Sequence, residues 1–181
     1  MKTFYYLNKA LGIILLHKKS IRSVAKDKNA TMPAVFIGLI GMAIYLGISY
    51  TQNASPISFD TTSLPFSAFL PLYFLTGVLL FAFTHLSARL FGSKEPFIHF
   101  FRPIMLSSLV DLLSVFTLTP QIGFAVEIIL LIWSMIIYYF VIKEAYQLST
   151  LRSIGVLLLP LVVLFVMALT AGVFIGILIA V

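Results

Sequence analysis

The chain has 181 residues, 61% of them hydrophobic and only 10% charged; a water-soluble domain of this length cannot bury so much apolar surface, so lipid must supply part of its solvent. It has no cysteine, which excludes disulfides, thiolate metal sites and cysteine nucleophiles. The formal net charge of +6 comes from basic residues flanking apolar runs, a placement suited to anionic lipid head groups and not to nucleic acid.

In chain order, residues 3–16, TFYYLNKALGIILL, set Phe4, Leu7, Leu11, Ile14 and Leu15 at helical spacing while Asn8 and Lys9 fall off that stripe. This predicts an amphipathic helix lying in the membrane interface. It is not a cleavable signal, because the run ends in His17, Lys18 and Lys19 where small residues would be needed. A second short interfacial helix is expected with Ser20 as its cap, Ile21 and Val24 on one side and Arg22 and Lys26 on the other. Pro33 then opens the first span, 33–50, whose Gly38, Gly41 and Gly47 would let another backbone approach closely.

A polar stretch, TQNASPISFDTTSLP, leads to the second span, 66–91, with Pro71 near its entrance as a site for a kink. The third span, 103–118, follows a tight basic turn at 92–96 and an aromatic lead-in of Phe97, Phe100 and Phe101. The fourth runs over 122–142, and after the connection KEAYQLSTLRS the last occupies 154–181, with Gly172 and Gly176 four apart. The fold class is therefore all-α, a polytopic bundle of five transmembrane helices. Residues 1–32 form a basic interfacial segment and 33–181 a single membrane domain.

With these spans all twelve Lys and Arg residues fall on one side. The N-terminal segment holds Lys2, Lys9, Lys18, Lys19, Arg22, Lys26 and Lys28, the middle turn Arg89, Lys94 and Arg102, and the last connection Lys143 and Arg152. Short loops keep Lys and Arg in the cytoplasm, so this split predicts an inner N-terminus and an outer C-terminus.

Two stretches, HLSARLFGSKEPFIHFFR at 85–102 and IKEAYQLSTLRSIGVLLLP at 142–160, resemble in order and position the YIP domain, the family of five-pass Ypt/Rab-interacting membrane proteins, in its short prokaryotic form. The resemblance covers nearly the whole chain. Tyr146 stands where the family pattern often has His, and the late Pro of the third span comes only at Pro120. It implies a non-enzymatic protein of membrane organisation or trafficking, integral to a prokaryotic plasma membrane. A long cytosolic N-terminal region of the eukaryotic kind is missing, so a Rab-type GTPase is not expected as partner. Membrane lipids, other membrane proteins or further copies of the chain are.

Asp111 and Glu127 are the first candidates for chemistry, because ionisable groups inside spans are costly and often functional. If spans three and four form a hairpin turning at 119–121, the α-helical rise sets both carboxyl groups about 10–14 Å from the turn. Without a nearby cation they would hold a proton or an ion between them; the plainer expectation is Asp111 bonded to Ser107, Ser108 or Ser114 and Glu127 reaching the outer interface. On the basic side, His85, Arg89, Lys94, His99 and Arg102 form a candidate lipid-phosphate or partner-binding cluster, with ordinary loop charge as its plainer alternative. These groups carry the competing function, a small transporter or lipid-handling protein. Two histidines make no zinc site, and no nucleophile elbow or phosphate loop is present, so neither enzyme activity nor a cofactor is expected.

Overall fold

A computed structural model of the chain describes residues 2–51, 66–119 and 121–180. The polar 52–65 stretch, Pro120 and Val181 lie outside the described residues, as do the side chains of 171–180 with the Gly172 and Gly176 pair. No strand occurs among the described residues. The helices are α1 (Lys2–Ile14), α2 (Lys18–Lys26), α3 (Thr31–Thr51), α4 (Phe66–Leu90), α5 (Phe97–Ser107), α6 (Gly123–Ala145) and α7 (Thr150–Ala180). A short 3-10 turn, Lys28–Ala30, precedes α3, and a longer 3-10 helix, Ser108–Leu118, continues α5.

Four stretches are long and apolar enough to cross a membrane, 28–49, 71–90, 97–118 and 123–145, and 150–163 adds a shorter apolar run within α7. Their outer surfaces carry exposed Phe74, Leu79, Phe124, Ile129, Leu131 and Phe165, which lipid and not water must solvate.

Helix α1 ends in a turn that bonds the His17 N–H to the Gly12 carbonyl at 2.8 Å and the Leu16 N–H to Ile13 at 2.9 Å, with Leu16 left-handed at φ 61°. This is the Schellman arrangement, here made by a leucine where glycine is usual. It corrects the expected cap: α2 starts after an extended His17, two residues before Ser20, and makes no side-chain cap bond. Ser20 lies in the first turn, its N–H on the His17 carbonyl and its side chain against Gly12.

Helix α2 buries Ile21, Val24 and Ala25 and exposes Arg22 and Lys26. Helix α1 and the turn after it leave Phe4, Leu11 and Leu15 exposed, and α1 buries Tyr6, Ala10 and Ile13. These buried residues belong to the same core as Phe100, Leu106, Ile137, Val141, Ile142, Tyr146 and Val156. The N-terminal helices are thus packed onto the bundle, chiefly against α5 and α6.

The third apolar stretch differs most from its expected form. Phe97 begins a helix that continues through Pro103, so the aromatic lead-in and the span are one element. At Ser108 it narrows to a 3-10 helix of eleven residues, far longer than the usual three or four. Local chemistry favours the change: Ser107, Ser114 and Thr117 donate their hydroxyls to the carbonyls three residues back, Ile104, Asp111 and Ser114, in competition with the four-residue ladder. Helix α3 lies close against this junction, with Gly38 facing Met105 and Gly41 facing the Ser108 carbonyl, whereas nothing approaches Gly47.

Candidate functional site

The basic turn after α4 packs against the turn after α6, and the two form a joint. Helix α4 ends at Gly92, left-handed at φ 91°, with the Ser93 N–H on the Ala88 carbonyl at 2.9 Å. Helix α6 ends similarly at Gln147, φ 52°, with the Leu148 N–H on the Lys143 carbonyl at 3.1 Å. The turns interlock: the buried Ser93 hydroxyl donates to the Tyr146 carbonyl at 3.2 Å, and the Gln147 amide donates to Glu95 at 2.7 Å. Glu95 also pairs with His99 at 2.7 Å.

Tyr146 is the centre of this joint. Its ring stacks on Phe100 with centroids 5.4 Å apart and its hydroxyl is hydrogen-bonded to His85 Nδ1 at 3.0 Å. Burial, with a smaller contribution from Tyr138, raises the hydroxyl well above the ordinary phenol range, so it stays neutral.

The five candidate cluster residues divide. His85 and His99 point into the joint, Arg89 and Lys94 are exposed around the turn, and Arg152 approaches Gly92. Arg102 is separate and 6% exposed, donating from Nε to the Thr31 hydroxyl and from Nη1 to the Ala25 carbonyl, each at 2.8 Å. It therefore ties α5 to the end of α2 and the start of α3, where a cation suits the carbonyl end of a helix.

Sequence reasoning missed two acids that fasten the same end. Buried Glu144 accepts from Arg22 Nε at 2.7 Å, and Asp27 accepts from the Tyr6 hydroxyl at 2.8 Å. Burial first, then the Asp27 carboxylate, pushes the Tyr6 hydroxyl up to about 12. A signal for Glu144 existed: it follows Ile137 and Val141 at helical spacing, on the stripe those residues bury.

Asp111 and Glu127 stand in unlike surroundings, Asp111 half-buried and Glu127 exposed. A 3-10 rise of about 2.0 Å per residue puts Asp111 about 18 Å from the turn, while the α-helical rise puts Glu127 about 10 Å away. The equal heights expected from the sequence do not hold, because they assumed one helix type. The hydroxyls of Ser107 and Ser114 go to backbone carbonyls and not to the Asp111 carboxylate. On the neighbouring helices, the Tyr73 ring lies 6.4 Å from that of Tyr45. Three residues per turn also aligns Ser108, Asp111, Ser114 and Thr117 along one edge of the 3-10 helix, a polar ladder between apolar neighbours. Among the described residues no group of three His, Asp or Glu side chains is placed to hold a metal.

The helices and their lipid-solvated surfaces define an integral membrane protein of the all-helical class. A family model described as the Yip1 domain matches residues 11–179, and the chain belongs to that family. A search of curated proteins and a search of solved structures each gave no match. The stretches 85–102 and 142–160 are the two halves of the joint around Tyr146, with Tyr146 bonded to His85.

Proposed function

We propose that this protein is a non-enzymatic, five-pass member of the family that organises the membrane or other membrane proteins, with α7 as the fifth crossing. Residues 1–32 form a basic cap on the membrane domain 33–181. The cap and the joint face the cytoplasm, and the C-terminus faces outward. One observation carries the reading: all twelve Lys and Arg residues fall in the N-terminal segment and two connections of the sequence, and in those segments Asp27, Glu95 and Glu144 are engaged within the protein while Lys18, Lys19, Lys26, Lys28, Arg89 and Lys94 remain exposed. Short basic connections are retained on the cytoplasmic side, and such a surface attracts anionic lipid.

The exposed stripe Phe4, Leu11 and Leu15 supports contact of α1 with acyl chains beside this surface. Within the candidate cluster, Arg89 and Lys94, joined by Arg152, are the phosphate-facing members. The different heights and exposures of Asp111 and Glu127 give no support to a transport path built on the pair.

The absence of cysteine permits a direct test of orientation. In intact cells an impermeant maleimide is expected to label Q121C at once and K94C only after permeabilisation; the reverse pattern overturns the orientation. For the organising role, affinity capture from native membranes is expected to recover a reproducible membrane-protein partner. Recovery of none, together with ion flux abolished by D111N, would replace organisation with transport.

A further inference from the structure

Between α6 and α7 runs an open groove of about 370 Å³ lined by Ile132, Met135, Ile136, Tyr139, Ile154 and Leu157. Its walls follow from helical phase: the first four residues lie on one face of α6, and Ile154 and Leu157 on one face of α7. Lys143 stands just beyond this lining, one turn after Tyr139 on the same face of α6. The Lys143 ammonium donates to the Thr150 hydroxyl at 2.9 Å and lies 5.9 Å from the Tyr139 ring centre. An ammonium has three donors, and Thr150 takes one of them.

We infer that this groove binds one acyl chain of an anionic phospholipid whose phosphate is held by Lys143. Length supports the fit. From Lys143 to Ile132 is eleven residues, about 16 Å by the helical rise, which matches half of a hydrocarbon core roughly 30 Å thick. Charge supports it too, since the Lys143 ammonium stands one turn beyond the apolar lining, over the Tyr139 ring, the arrangement in which a snorkelling cation and an amphipathic ring mark the head-group level. The site is distinct from the turn carrying Arg89 and Lys94. It adds a bound lipid to the proposed function without depending on any protein partner.

The test uses the full chain, reconstituted in vesicles of brominated phosphatidylcholine or brominated phosphatidylglycerol, with a single tryptophan as reporter. W133F removes the native tryptophan and L157W places one in the groove; I154W is a second reporter should the first fail to fold. The anionic lipid is expected to quench the groove reporter with about fivefold higher relative affinity than the zwitterionic one, the ratio that one lysine near the surface supplies. K143Q should bring that ratio to about one, and K19Q should leave it unchanged. A reporter at an exposed position on α4, L79W, should show no dependence on Lys143. Equal quenching by the two lipids with Lys143 present overturns the proposal. So does a groove reporter that neither lipid quenches, which would mean that a second copy of the chain covers the groove. Failure of the partner capture described above would leave these quenching ratios untouched.

Discussion

Arg102 is a buried cation whose hydrogen bonds go to neutral oxygens, the Thr31 hydroxyl and the Ala25 carbonyl. A guanidinium reaches both because its donors are fixed in a planar fork, whereas an ammonium on a shorter, flexible stem cannot hold the same geometry. R102K is therefore expected to lower stability by about 1–3 kcal/mol, the cost of leaving a buried polar group unsatisfied, read as a lower melting temperature in detergent. Unchanged melting would show that the two contacts do not restrain α2. The sequence places Arg102 among surface cations because loop charge normally is at the surface; its burial depends on α2, whose Ala25 is 77 residues away in the chain, folding back over it. Tyr6 gives a pH dependence of known sign. Its hydroxyl is raised to about 12 from an ordinary value of 10.0, so the folded state holds this proton more tightly than the unfolded one. The stability this contributes is complete below pH 10 and is lost as pH rises through 12. Denaturant titrations of the native chain and Y6F should show a stability difference that shrinks across that window, and a constant difference would remove Tyr6 as its source.

The helices, taken as elements, were legible where apolar runs set their length. Helices α4 and α6 fall close to their expected limits, and α3 begins near Pro33. The 3-10 helix after α5 departs from the α-helical span expected there, although its sign is present in the sequence: Ser108, Asp111, Ser114 and Thr117 recur every third residue. A search for the 3.6-residue period spreads these positions around a cylinder, and only a three-residue turn aligns them. The expected match in height between Asp111 and Glu127 failed for this reason. Close approach of α3 was anticipated from its glycines, but the sequence could not say which of the three were used. Gly41 faces the Ser108 carbonyl and Gly47 faces open space, and this difference predicts opposite outcomes. G41A forces two backbones apart and should cost about 1–3 kcal/mol, as overpacking does. G47A should be neutral or stabilise the helix by up to about 1 kcal/mol through better helix propensity. Melting curves of the two variants in the same detergent decide it, and equal shifts would contradict the close packing of α3 on the 3-10 helix.

For the whole molecule, the defining contact is the docking of α1 and α2 onto the ends of α5 and α6. The sequence suggested that these helices lie on the membrane surface, since their charge and apolar spacing suit an interface. It could not show that Tyr6, Ala10, Ile13, Ile21 and Val24 share a core with Phe100 and Ile142, because those contacts join segments far apart in the chain. The two halves of the joint are likewise separate motifs in the sequence, and only folding sets Tyr146 against His85. Arg22 and Glu144, 122 residues apart, are a polar link across this docking surface, beside the Arg102 bond to the Ala25 carbonyl. Their surroundings are unequal, with the Arg22 side chain 63% exposed and that of Glu144 2% exposed. Screening by water weakens the attraction of such a pair, so its main effect is to satisfy the buried carboxylate. R22A should then cost about 1–3 kcal/mol by stranding that acceptor, while R22A combined with E144Q should recover much of the loss, since a neutral amide is less costly to bury than a charge. Limited proteolysis within 15–30 provides the structural readout: R22A should be cut faster than the native chain with α3 to α6 still protected, and the double variant should be cut at an intermediate rate. A double variant as labile as R22A alone would mean that the loss comes from the Arg22 contact itself and not from a stranded Glu144 carboxylate.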